Sequence, residues 1–96
     1  MLTATLSIRN TSLKDSLFVS KIDYYNTAGD LVRSYIDSPI YLTPMESIDY
    51  VIEQQDTSGG SGANFMVNWY SKKHLNPLFQ AFMVGAFGSA SLFIYY

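Results

Sequence analysis

One stretch, Asp56-Thr57-Ser58-Gly59-Gly60-Ser61-Gly62-Ala63-Asn64-Phe65, brings a carboxylate, hydroxyls and half of the six glycines together. Three glycines in four residues give the backbone left-handed conformations or close approach to a neighbour. Asp56 and Asn64 flank them and can fold onto nearby N–H groups as Asx turns. Successive free N–H groups in such a loop form an anion-binding nest. Asp56, Gly59, Gly60, Ser61, Gly62 and Asn64 are therefore candidate ligands for an anion, or for the polar end of a glycan or lipid. The same pattern also suits a tight connection between two sandwich strands, with glycines chosen by geometry alone.

Named catalytic motifs do not fit this stretch. A phosphate-binding P-loop needs Lys-Ser or Lys-Thr straight after its last glycine, and Gly62 is followed by Ala63-Asn64. Gly59-Gly60-Ser61-Gly62-Ala63 comes close to a nucleophile elbow, but a strand pattern follows it rather than a helix. The acid of that triad normally follows the serine, and all eight acidic residues lie at or before Asp56. His74 is the sole histidine. Asp49 and Glu53 share the wet face of one strand, about 13 Å apart. That exceeds the roughly 6.5–9.5 Å of an inverting glycosidase pair. No base, nucleophile and orienting group can be named together, so the chain reads as a non-enzyme with no cofactor.

Composition narrows the partners. The chain has 96 residues, a net charge of −2, eight tyrosines and six phenylalanines. One small domain spanning residues 1–96 fits that length. The only basic cluster is Lys72-Lys73-His74, a solvated loop rather than a nucleic-acid clamp. The absence of cysteine removes disulfides, thiolate zinc sites and cysteine nucleophiles. One carboxylate in the glycine stretch is too few for calcium. Asn10-Thr11-Ser12 matches a glycosylation acceptor, a triplet frequent by chance. Met1 leads into a strand pattern rather than a signal peptide.

The elements that must position these groups are strands. Leu2, Ala4, Leu6 and Ile8 alternate with polar residues. Phe18, Ser20, Ile22 and Tyr24 alternate with Val19, Lys21, Asp23 and Tyr25. Asn26 to Asp30 is a hairpin loop with Gly29 placed for a left-handed conformation. Leu31 to Asp37 returns, with its inward face ambiguous. Pro39 confines Ile40 to Leu42 to a short edge segment, and Pro44 marks a turn. Ile48, Tyr50 and Ile52 alternate next, then Phe65, Val67 and Trp69, with Trp69 expected at the core centre. From Asn76 to Tyr96 the chain carries no charge. Pro77, Gln80, Gly85, Gly88, Ser89 and Ser91 dilute it too far for a transmembrane helix. It reads instead as strands Phe79 to Ala86 and Ser91 to Tyr95 around a turn at Gly88-Ser89. Leu92 to Tyr96 is apolar on both faces, so it is buried on both sides or covered by something outside this chain.

About seven short strands with little or no helix make an all-β fold: an antiparallel, immunoglobulin-like β-sandwich, with an up-and-down barrel as the alternative. Tyr70, Phe93, Tyr95 and Tyr96 are surplus apolar positions, suited to a protein partner surface or to ordinary packing. An unknown protein partner or a small polar ligand is expected, and sheet edges offer a route to a homo-oligomer.

Three segments together carry a resemblance: Leu2 to Asn10; Tyr24-Tyr25 with Gly29 and Leu31-Val32-Arg33; and Asp56 to Phe65. The chain resembles a family of uncharacterised bacterial domains, catalogued as a domain of unknown function. Members look like small exported or lipid-anchored proteins with a leader and a short segment before the point where this chain starts. The resemblance implies an extracytoplasmic setting, whether periplasmic, secreted or lipid-anchored. It implies no activity and no site residue. Phe93 to Tyr96 depart most from the family pattern.

Overall fold

Alternating apolar side chains specify a strand only if one face has somewhere to be buried, and here two sheets bury their faces against each other. The computed structural model describes residues 2–54, 62–72, 76–84 and 89–96. They form β1 (Leu2–Arg9), β2 (Leu17–Tyr25), β3 (Leu31–Ser34), β4 (Ile40–Leu42), β5 (Ser47–Gln54), β6 (Gly62–Tyr70), β7 (Leu78–Val84) and β8 (Ser89–Tyr95). One sheet has the order β5-β1-β7; the other runs β3-β2-β6-β8, with β4 also paired to β2. There is no helix among the described residues. The expected all-β sandwich is the observed fold, with eight described strands rather than about seven.

Five of the ladders are antiparallel and one, β6 with β8, is parallel. Parallel neighbours need a crossover between them. Here β7 supplies it by running through the opposite sheet beside β1.

The core is Ala4, Leu6 and Ile8 of β1, Leu17, Val19, Ile22 and Tyr24 of β2, Leu42 of β4, and Phe65 and Val67 of β6. Ile48, Tyr50 and Ile52 pack against it half-buried, as the β5 alternation requires. Strand β2 departs from simple alternation. Its register against β6 passes from Val19–Trp69 to Lys21–Asn68, leaving Ser20 as an extra residue. This β-bulge switches the phase of the strand. Leu17 and Val19 face inward before it, and Ile22 and Tyr24 after it. The expectation that Phe18 and Ser20 share a face with Ile22 and Tyr24 is corrected accordingly.

Other expectations shift for local reasons. The return strand ends at Ser34 rather than Asp37, and its four residues are all exposed. Beyond it Tyr35 and Ile36 turn onto the core, with the Tyr35 N–H donating to the Ile22 carbonyl at 2.8 Å. Trp69 is half-buried at the rim, not central. The centre belongs to Tyr24 and Phe65, whose ring centroids lie 5.4 Å apart. Gly29 has the expected left-handed backbone, φ 88°. Strand β8 begins at Ser89, a residue read from sequence as part of a turn.

One buried amide ties the loops at one end of the sandwich. Asn10 is fully buried. Its Nδ2 lies 2.8, 3.0 and 3.1 Å from the carbonyls of Asp15, Leu42 and Thr43. Its Oδ1 accepts from the Ser12 N–H at 3.0 Å, and its own N–H donates to the Glu46 carbonyl. The partner turn, Thr43 to Glu46, is closed by the Glu46 N–H on the Thr43 carbonyl. Met45 sits at φ 68°, the left-handed position that follows proline in a type II turn. Removing the Asn10 amide strands the buried Leu42 carbonyl, at about 1–3 kcal/mol for an unsatisfied buried group, and takes a partner from the part-buried carbonyls of Asp15 and Thr43. Asn10→Ala is expected to lower stability by about 2–4 kcal/mol. For a domain this size, the melting temperature then falls by roughly 10–30 °C. A thermal melt checks this, and a fall of only a degree or two refutes the tying role.

Candidate functional site

The core-facing phase of β2 and β6 fixes what the opposite face of their sheet shows. At one end, Tyr41 of β4, Phe18 of β2 and Tyr70 of β6 lie side by side in register. Phe18 and Tyr70 stack with centroids 5.0 Å apart and planes 8° from parallel, and Phe18 meets Tyr41 at 6.2 Å. Towards the other end, three rows cross the sheet. Lys21, Asn68 and Tyr95 form one, Asp23, Met66 and Phe93 the next, and Tyr25, Asn64 and Ser91 the third.

Tyr25, Gly29, Asn64, Met66, Phe93 and Tyr95 line an open depression of about 420 Å³ on this face. Its walls are mainly apolar. Asn64 and Asp23 beside it are engaged in holding the scaffold. Asn64 Nδ2 donates to the Asn26 carbonyl at 3.0 Å and pins the hairpin loop. Within that loop the Gly29 N–H donates to the Asn26 carbonyl, and the Asp30 N–H to Asn26 Oδ1. Asp23 is buried, accepts from Ser34 Oγ at 2.8 Å, and has Lys21 Nζ 3.8 Å away. Asn68 Oδ1 is buried with no partner among the described residues.

Strand β8 is covered thinly along its described side chains. A three-stranded layer faces one four strands wide. Leu92 is half-buried, while Phe93 is 49%, Ile94 42%, Tyr95 48% and Tyr96 78% exposed. Tyr96 leans on Trp69 at 4.5 Å, and its hydroxyl donates to the Ser71 carbonyl at 3.3 Å.

Residues 1–94 match the family described as a protein of unknown function, DUF3124. The chain belongs to DUF3124. No curated protein matches the chain, and neither does any solved structure.

Of the glycine-stretch candidates, Asp56, Gly59, Gly60 and Ser61 lie outside the described residues. Gly62 opens β6 opposite Ser89, and Asn64 borders the depression. The four surplus aromatic residues of the DUF3124 chain are not one cluster. Phe93 and Tyr95 share the depression, Tyr70 stacks at the far end of the same face, and Tyr96 covers Trp69 at the rim. Leu92 to Tyr96 is thus not buried on both sides: Leu92 packs half-buried against the core, and Phe93 to Tyr96 are exposed. Tyr25, Met66, Phe18 and Tyr41 join this face without having been singled out from sequence. Tyr25 and Met66 were legible as the opposite parity to Tyr24, Phe65 and Val67. Phe18 was hidden by the bulge. Asp49 and Glu53 stand opposite Ser7 and Thr3, four residues apart along β5. Among the described residues no group of three His, Cys, Asp or Glu stands close enough to hold a metal, and no helix is long and apolar enough to cross a membrane.

Among the described residues, three phenols packed in or against the core have raised pKa values. Burial pushes the Tyr24 phenol above its ordinary pKa, with Tyr35 adding to the effect. Burial also raises Tyr35, partly offset by Arg33, whose guanidinium lies 4.7 Å from its ring centroid. Tyr50, 5.3 Å from Tyr35, is raised by burial. Below the ordinary phenol pKa both folded and unfolded states are neutral, and stability is fully present. Above about pH 10 the unfolded chain ionises first, so stability falls with rising pH. Tyr24 Oη also has no hydrogen-bond partner among the described residues. Tyr24→Phe is expected to hold or raise stability at neutral pH and to shrink the alkaline loss. Melts from about pH 7 to pH 11 check this. A neutral-pH loss of more than about 1 kcal/mol overturns it, because an unpaired hydroxyl has no such bond to lose.

Proposed function

We propose that this domain is a non-enzymatic binding module that docks another protein on the outer face of its five-stranded sheet, around Phe93 and Tyr95. The observation that carries the reading is a contiguous, uncharged aromatic surface on a terminal strand. Phe93 and Tyr95 are half-exposed on β8, beside Met66 and Tyr25 in one open depression. Large exposed aromatic side chains next to a shallow recess are what interface hot spots are made of. The polar groups nearby support the same reading, because Asn64 and Asp23 already serve the scaffold.

The module works outside the cytoplasm in this reading. Support comes from the likeness of Leu2 to Asn10 and Asp56 to Phe65 to small exported bacterial domains. Fractionation of cells making the native protein tests that placing, and a cytoplasmic pool alone defeats it.

To test the docking face, proteins retained by the wild-type chain from host extract are purified, and their affinities are measured against wild type, Phe93→Asp and Leu13→Asp. Phe93→Asp is expected to weaken binding about tenfold or more, equivalent to ~1.4 kcal/mol, with an unchanged melt. Leu13→Asp, on the exposed turn between β1 and β2, is expected to bind as wild type does. Affinity that Phe93→Asp leaves unmoved overturns the reading, as does a wild-type chain that retains nothing the variant does not.

A further inference from the structure

A terminal strand presents a row of unpaired backbone N–H and C=O groups, and proteins that stay apart protect such strands with charged side chains, proline, bulges or shortness. Three edges of this sandwich are protected. Strands β3 and β4 have four and three residues, with Arg33 on one and Pro39 just before the other. Strand β5 carries Asp49 and Glu53. Strand β8 has none of these devices. It runs seven residues, Ser-Ala-Ser-Leu-Phe-Ile-Tyr, without charge or proline, and its register against β6 is unbroken from Gly62–Ser89 to Asn68–Tyr95. The strand beside it in the facing sheet, β7, is also uncharged.

We propose that β8 pairs antiparallel with the β8 of a second copy of this chain, on a twofold axis at Leu92. This rests on β8 being an interaction strand, and it names the partner. The sequence of the strand is self-complementary in that register. Small residues occupy 89–91 and large ones 93–95, so the twofold axis sets the small half of one strand against the large half of the other. Ser91 falls opposite Phe93 on the outer face in both directions, and Leu92 meets its own counterpart on the inner face. A one-residue slip would set an outward position against an inward one. No charge lies anywhere from Asn76 to Tyr96, so two copies bring these flanks together without burying an ion or opposing like charges. The contact is isologous and closed, giving a dimer rather than a fibre, and it joins the two outer faces into one continuous sheet.

The register makes the test specific. Ser91 and Phe93 are both exposed on the outer face, so charges there leave the core alone. In S91D/F93D, aspartates oppose aspartates across the axis. In S91D/F93K, each aspartate opposes a lysine. Directly opposed like charges destabilise a strand pair and unlike charges support it. Sedimentation equilibrium over a concentration series is expected to give twice the 10.8 kDa chain mass for wild type. The S91D/F93D variant is expected to be monomeric, and S91D/F93K to return to the dimer. Hydrogen exchange on wild type, which needs no variant to fold, is expected to show β8 amides protected more strongly as concentration rises. A wild-type monomer throughout, or β8 exchange independent of concentration, overturns the pairing. A dimer that survives S91D/F93D places the contact elsewhere, and failure of S91D/F93K to recover it overturns the register. Should wild type be monomeric while Phe93→Asp still releases a purified partner, self-pairing is wrong and the docking face stands.

Discussion

The extra residue at Ser20 is the constraint on which the rest of the architecture depends. Strand β2 is paired with β3, β4 and β6, so its phase sets the phase of its whole sheet. A strict period-two strand would send either Leu17 and Val19 or Ile22 and Tyr24 to the solvent. The bulge lets all four face inward. It also aims Phe18 outward between Tyr41 and Tyr70, so the same irregularity that completes the core builds one end of the aromatic outer face. Core and surface here are two consequences of one inserted residue.

That also explains what was legible in the sequence. β1, β5 and β6 alternate strictly, and their inward residues were readable because periodicity needs no knowledge of neighbours. The hairpin at Gly29 and the turn at Pro44 were readable because their backbone demands are local. The phase change in β2 was not, because a bulge is defined only against a partner strand. Trp69 misled for a related reason. Its size suggested the centre, but its register opposite Val19 places it near the end of β6, where the sandwich opens towards Tyr96. The parallel pairing of β8 was invisible too, since it depends on β7 crossing to the other sheet. For the site, the aromatic surplus was legible as composition. Its division into a recess, a stack and a rim contact depends on which face each strand presents.

Charge and edge protection are distributed unevenly, and the two patterns coincide. Acidic residues and short strands guard the β3, β4 and β5 edges. The β7 and β8 flank has neither. An unguarded edge leaves the backbone to aggregation unless something specific covers it, so the unevenness favours a strand with a dedicated partner over a strand left bare by accident.

The polar groups point the same way by what they are already doing. Asn10 holds three loop carbonyls, Asn64 holds the hairpin, and Asp23 is engaged by Ser34 with Lys21 nearby. These side chains are fixed in bonds the fold needs. Among the described residues, what this face leaves open is aromatic surface and, along β8, a backbone edge with no further strand paired to it. Both recognise by shape and area rather than by charge. The specificity of such a surface has to come from register and from where large residues meet small ones. In β8 that pattern of large and small is written into the seven residues of the strand itself.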